Sequence, residues 1–162
     1  SILNEKLEIC WGGYSRAELS YEALKLMKES GCRTLHIGYE IPIQRYLDII
    51  QKDITVEQME DFATNIKKLD MWTSATFMIF PWETPEDIRF TIKWCKEIKP
   101  KRMNLIQAQA YPNTPYAKTV EEFGERYKLM DFEEMKKWEQ YGFKQCYLYN
   151  THFWWETLKQ PQ

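Results

Sequence analysis

Thr34-Leu35-His36-Ile37-Gly38-Tyr39-Glu40 is the stretch on which the fold of this chain turns. Leu35 and Ile37 alternate with His36, Gly38 and Glu40, the two-residue period of a strand with one apolar and one polar face. Pro42 stops it. Upstream, Ser30-Gly31 closes a helix whose apolar stripe reads Leu19, Ala23, Leu26 and Met27, with Gly entering the left-handed region at no steric cost. Before that, Leu7–Trp11 reads as a first strand and Gly12-Gly13-Tyr14-Ser15-Arg16 as the loop behind it. Downstream, a short helix around Gln44–Ile50 leads to Lys52. Thr55-Val56-Glu57-Gln58 then forms a capping box for a helix carrying Met59, Phe62, Ala63, Ile66 and Leu69.

The same plan occurs twice more. Thr73–Phe80 is a strand, and Thr84-Pro85-Glu86-Asp87 opens a helix with an N-cap Thr, Pro in its first turn and two acids at its positive end. That helix buries Ile88, Thr91, Ile92, Cys95 and Ile98 and ends at Pro100. Asn104–Tyr111 is a fourth strand, and Pro112-Asn113-Thr114-Pro115 a turn. Beyond it Asp131-Phe132-Glu133-Glu134 caps a helix running through Trp138 and Tyr141, and Tyr147–Trp155 is an aromatic stretch compatible with helix or strand. Strands alternating with helices at this spacing predict a parallel sheet with right-handed crossovers. Such a sheet needs both faces covered, as in a barrel or a doubly wound fold. The polar faces, His36 with Glu40 and Gln107 with Gln109, favour a barrel-like interior. The expectation is therefore an α/β chain forming a partial (β/α) TIM-like barrel of about four βα units, residues 1–118, with a helical, aromatic-rich extension over 119–162. Chemistry in such folds gathers at the carboxyl ends of the strands.

Bulk composition narrows the function classes. Lys and Arg total 22 against 24 for Asp and Glu, so no global basic field favours nucleic acid. Charges interrupt every apolar run before it reaches membrane-spanning length, and no leader opens the chain, so a cytoplasmic protein is expected. The four cysteines, Cys10, Cys32, Cys95 and Cys146, form no CxxC pair and no His-adjacent ligand set. Neither a metal site nor a cluster held by this chain alone is expected.

The motifs taken in order resemble the radical-SAM enzymes of the cobalamin-binding type. The likeness runs from about Leu7 to Lys118. It comprises Trp11 to Arg16, Gly31-Cys32, Ile37-Gly38-Tyr39-Glu40, Leu47 to Lys52, Phe77–Thr84 and Tyr111-Pro112-Asn113-Thr114-Pro115. Three positions depart from the family pattern. Ile79 and Trp82 stand where the family has Gly before Pro and before Glu-Thr, and Asn113 replaces the Gly of Pro-Gly-Thr-Pro. Asn tolerates a left-handed turn, so Asn113 is a mild change. Trp82 puts a large ring where close backbone approach is usual and suggests a drifted subfamily or a reshaped pocket. The family's three-cysteine cluster motif lies on the loop after the first barrel strand, and this chain is expected to start at the third strand, as a piece of a longer enzyme.

The resemblance implies S-adenosylmethionine (SAM) as cofactor, with a 4Fe-4S cluster and cobalamin as further groups of the full-length enzyme. It implies reductive SAM cleavage followed by radical hydrogen abstraction or methyl transfer on a substrate that the sequence does not identify. The cofactors carry that chemistry and the protein supplies position and electrostatics. Glu40, at a strand end, is the candidate acceptor for the ribose hydroxyls, and Lys52 the candidate cation for the SAM carboxylate. Arg16 and Glu83 are further cofactor-binding candidates, and Gln107, Gln109 and His36 are candidates to face the substrate. No catalytic residue is assigned. Capping explains Thr84 and Asp87 fully, and an inward His is more often a satisfied core residue. A non-catalytic α/β binding or scaffolding module derived from such a barrel is the alternative. An open edge on Leu7–Trp11 predicts self-association, or cover from the aromatic tail at Phe153-Trp154-Trp155.

Overall fold

The computed structural model describes residues 3, 5 and 7–147. Along the chain run β1 (Trp11–Arg16), α1 (Tyr21–Glu29), β2 (Cys32–Glu40), α2 (Gln44–Ile49), α3 (Val56–Lys68) and β3 (Trp72–Ile79). Then follow α4 (Pro85–Ile98), β4 (Arg102–Gln107), α5 (Pro115–Gly124) and α6 (Phe132–Tyr147). The four strands pair in sequence order, β1-β2-β3-β4, and every pair is parallel. An α/β sheet of this plan, with helical crossovers, is an arc of a (β/α) barrel.

Helix starts follow side-chain chemistry. Ser20 accepts the Ala23 N–H, Thr55 and Gln58 form a reciprocal capping box, Thr84 and Asp87 form another, and Thr114 accepts the Ala117 N–H. Each satisfies N–H groups that the first helical turn leaves without partners.

Register sorts the side chains. One face stacks Ser15, Ile37, Ala75 and Met103 in a row, with Leu35 beside Thr73 and Phe77 beside Leu105 in neighbouring rows. It is buried under the helices together with Leu24, Met59, Phe62, Ile88 and Ile92. The opposite face carries Tyr14, His36, Ser74 and Arg102 in one row and Arg16, Gly38, Thr76 and Asn104 in the next. A register shift between Gly38 and Glu40 leaves Tyr39 opposite no β3 partner, and its ring packs against Phe62, Phe77 and Trp94.

Several sequence expectations are corrected. The first strand is Trp11–Arg16, so Gly12 and Gly13 lie inside it instead of forming a loop. Gly12 passes so close to Thr34 that any Cβ would overlap its side chain. Leu26 is exposed, and α1 buries Leu24 instead, because Leu24 is the residue that meets the sheet. The fourth strand ends at Gln107. Its pairing with Ile79 puts Gln107 in the helix-side alternation with Met103 and Leu105, away from the open face assigned to it. α5 went unanticipated, although Thr114-Pro115 is the same Thr-Pro start that opens α4.

α6 packs on β4 and α4, places Met135 in the core, and rests Trp138 against it. Gly142 permits this approach, since a Cβ there would collide with the Leu105 side chain. Lys96 donates to Gln145 at 3.2 Å. Beside that contact the free Cys95 thiol donates a hydrogen bond to the free Cys146 sulfur, which holds Cys95 above and Cys146 below the usual thiol range. The aromatic tail Phe153-Trp154-Trp155 lies outside the described residues. Among these residues no helix is long and apolar enough to cross a membrane.

Gly31 links α1 to β2 at φ 95°, where a Cβ would also strike the Ile9 carbonyl oxygen. Backbone cannot move aside as a side-chain tip can. Gly31→Ala is therefore expected to cost at least about 1–3 kcal/mol, the usual cost of a strained backbone position, read as a lower urea midpoint at unchanged slope.

Candidate functional site

At the carboxyl ends of β2, β3 and β4 a cleft of about 810 Å³ opens between the sheet and the first half of α6. Its walls include Glu40, Ile50, Lys52, Met78, Phe80, Ile106, Gln107 and Gln109, together with Tyr111, Tyr116, Phe132, Lys136 and Glu139. Three strand ends converge there because all strands run the same way.

Glu40 sits at the last position of β2 with φ 63°, a left-handed conformation that is rare for a non-glycine residue and costs about 1–3 kcal/mol. Its Oε1 accepts from Lys52 Nζ at 2.8 Å, and both side chains are only 16% exposed. Its Oε2 is buried and has no partner among the described residues. A buried acceptor without a donor is costly, so this oxygen is poised to accept. Gly38 makes room for the pair: a Cβ there would lie 2.6 Å from Glu40 Oε1 and 3.5 Å from Lys52 Nζ.

The end of α2 presents Lys52. Gln51 N donates to Asp48 O and Lys52 N to Leu47 O, at 3.2 and 3.0 Å, while Gln51 turns left-handed at φ 51°. This is a Schellman motif, and Lys52 is the residue it projects beyond the helix. Arg16, at the end of β1, donates through Nη2 to the Lys52 carbonyl and pairs through Nε with Glu18 at 2.8 Å. Arg16 thus holds the backbone beneath Lys52 and does not line the cleft.

Gln109 lies on the cleft and accepts from the Tyr111 hydroxyl at 3.2 Å. Gln107 reaches the cleft edge from the helix side, where its Nε2 donates to Glu139 at 2.9 Å. His36 is on the open face but stacks on Tyr14, with ring centroids 5.0 Å apart, and is not part of the cleft wall. Tyr111, Tyr116, Phe132 and Lys136 escaped the sequence reading. Tyr111 reads along the chain only as a strand end and the first residue of the Tyr111–Pro115 motif, and Phe132 and Lys136 reach the cleft only once α6 has docked.

Glu83, a cofactor-binding candidate in the sequence, lies off the cleft wall. It is 5% exposed and accepts the Phe80 N–H at 2.6 Å, tying its own turn, and is not among the cleft residues. Desolvation by burial pushes its carboxyl up to about 8 against an ordinary 4.5, although the Phe80 N–H acts the other way. Trp82 also turns away from the cleft. Its ring packs on Phe80, Tyr116 and Phe123 at centroid distances of 5.4, 5.6 and 4.9 Å. The large residue at a family glycine position is absorbed by packing against α5.

A buried acid that stays protonated in the fold but ionises at its ordinary value in the unfolded chain sets a sign. Its stability contribution is fully present below about pH 4.5 and is lost as the pH rises through about 8. Glu83→Gln keeps an acceptor for Phe80 and removes the titration. The variant should gain on the parent in denaturation midpoint from pH 5 to pH 8, and a constant offset across that range would refute it.

The donor set can be tested against the groups that the sequence resemblance implies. An orphaned carboxylate oxygen beside a fixed ammonium, on the wall of a cleft, fits SAM, which offers hydroxyl donors and a carboxylate. The cluster does not fit: among the described residues no three His, Cys, Asp or Glu side chains gather as metal ligands. Similarity to known proteins bears on the same site. An uncharacterized methyltransferase of Pyrococcus horikoshii is 36% identical over 115 residues, covering 70% of this chain and 25% of that protein. The chain spans about a quarter of the length of the curated relatives it matches. Two solved structures share the fold at low identity. The archaeal Elp3 of Methanocaldococcus infernus, at 15% identity and TM-score 0.68, covers 83% of this chain and 32% of its own. The radical S-adenosylmethionine methyltransferase TsrM of Kitasatospora setae, at 19% identity and TM-score 0.57, covers 63% of this chain and 21% of its own. The family model described as Radical SAM superfamily matches residues 3–95, more than half of the 162, and the chain belongs to that superfamily.

Proposed function

We propose that this chain provides the SAM- and substrate-binding part of a radical SAM enzyme, with SAM held at the Glu40–Lys52 end of the cleft. The observation that carries this is Glu40: strained, mostly buried, and paired through one oxygen while the other lacks a donor. In this assignment Glu40 accepts from the ribose hydroxyls and Lys52 faces the SAM carboxylate. Arg16 positions Lys52 by holding its carbonyl. The mostly buried ion pair holds both side chains aimed before the ligand arrives, which lowers the ordering cost of binding.

When bound with a reduced 4Fe-4S cluster, SAM supplies radical hydrogen abstraction or methyl transfer. The cluster's ligands come from outside the described residues. The order of motifs from Gly31-Cys32 through Tyr111–Pro115 supports the cobalamin-binding type, and the similarity of this fold to TsrM, whose structure carries cobalamin, agrees with it. Glu83 closes the Phe80–Glu83 turn and is assigned no contact with SAM.

Calorimetric titration of the whole chain with SAM tests the assignment. A hydrogen bond to a charged group contributes about 1.5–3 kcal/mol, so Glu40→Gln is expected to weaken SAM binding about tenfold or more, with an unchanged circular dichroism spectrum. Gly38→Ala, which displaces the same carboxylate, should weaken it in the same direction. Binding that is indifferent to Glu40→Gln overturns the assignment.

A further inference from the structure

The cleft has a second end. Away from Glu40 and Lys52 it is floored by Ile106, Tyr111 and Phe132, which remain 38%, 65% and 52% exposed. Three large apolar side chains left to solvent on one wall are more than scattered exposure and mark a surface that something covers. One cationic donor there lacks a partner. Lys136 Nζ, one turn beyond Phe132 on α6, enters no ion pair or hydrogen bond among the described residues. Of the acids on the cleft wall, Glu40 is paired with Lys52, and Glu139 accepts from Gln107 Nε2 through one oxygen. The acceptor Gln109 Oε1 is taken by Tyr111. Lys136 is therefore a cation without an ion pair among the described residues, beside a wall of exposed apolar side chains.

We infer that the α6 end of the cleft binds the second reactant, and that this is an apolar, ring-bearing molecule carrying a carboxylate or comparable anionic group. The rings lie against Ile106, Tyr111 and Phe132, and the anion faces Lys136. This rests on the reading that the Glu40–Lys52 end holds SAM, which leaves the α6 end for substrate. An aromatic wall supplies most of the affinity through burial, while one charged contact at a partly exposed site supplies orientation and discrimination. Phe132 and Lys136 stand at i and i+4 on one helix, so docking of α6 delivers both elements of recognition at once. Because α6 is anchored on β4 and α4 through Met135 and the close approach at Gly142, this wall is preformed.

Two dyes of matched shape test it on the whole chain. The aromatic anion 8-anilinonaphthalene-1-sulfonate and its uncharged relative N-phenyl-1-naphthylamine are titrated by fluorescence against the parent protein, Lys136→Gln, Lys136→Arg and Phe132→Ala. The parent should prefer the anion. An exposed charge contact contributes up to about 1 kcal/mol, so Lys136→Gln should weaken the anionic dye about three- to fivefold and leave the neutral one unchanged. Lys136→Arg should retain the preference, and Phe132→Ala should weaken both dyes. Equal affinity for the two dyes, or an anionic dye indifferent to Lys136→Gln or Phe132→Ala, overturns the inference. SAM titrated in parallel separates the two readings. Loss of dye discrimination in Lys136→Gln with SAM affinity intact supports a distinct second site. Failure of the parent to bind SAM, with the dye pattern intact, overturns the SAM assignment alone.

Discussion

Parallel pairing of the four strands is the constraint from which the rest of this structure follows. Each strand has to be reached again from the same end, so each connection carries a helix back across the sheet. The helices all load onto one face when consecutive strands are neighbours and the crossovers share a hand. Leu35, Ile37, Ala75, Phe77 and Leu105 answer this with a continuous apolar face. The other face is left with Tyr14, His36, Thr76 and Asn104, and the carboxyl ends of the strands meet at one rim. Everything assigned to function lies along that rim.

The rim is where local stability is given up. Glu40 occupies a backbone region that suits glycine, Gln51 and Asp53 flank Lys52 in the same left-handed region, and Glu40 Oε2 goes without a donor. A half-buried ion pair recovers only part of the desolvation cost of its two charges. The surrounding fold holds these features in place: the bulge that buries Tyr39, the Schellman end of α2, and the clamp of Arg16 on the Lys52 carbonyl. Strain concentrated on a cleft wall and compensated from three different elements is the pattern expected where a ligand completes the structure.

Behind the rim, the segment from Phe80 to Tyr127 shows how a change at one position is accommodated. Trp82 is received by Phe80, Tyr116 and Phe123, and Phe123 in turn touches Tyr127. Glu83, beneath this cluster, is stripped of water and serves its own turn. Among the described residues, aromatic side chains thus serve the core and this cluster, while Tyr111 and Phe132 stay exposed on the cleft wall.

Much of this was legible along the chain. The period-two alternation of Thr34–Glu40, the Thr-Pro and Thr-to-Gln caps, and Gly31 after α1 are local signals, because hydrogen bonding and backbone sterics within a few residues produce them. The α/β plan and the place of Glu40 at a strand end follow from them. Other features had no local cause. Gly12-Gly13 reads as a loop until β2 lies alongside, since the need for glycine at Gly12 comes from Thr34, more than twenty residues away. Gln107 took its face from its register with Ile79, and a register is a property of two strands. Glu83 reads along the chain as a cofactor-binding candidate, and only the packing of the turn around it raised its carboxyl to about 8. Phe132 and Lys136 carry no motif at all. They became one wall of a cleft when α6 docked against β4, because long-range packing, and nothing in their own neighbourhood of sequence, brings them opposite Glu40 and Lys52.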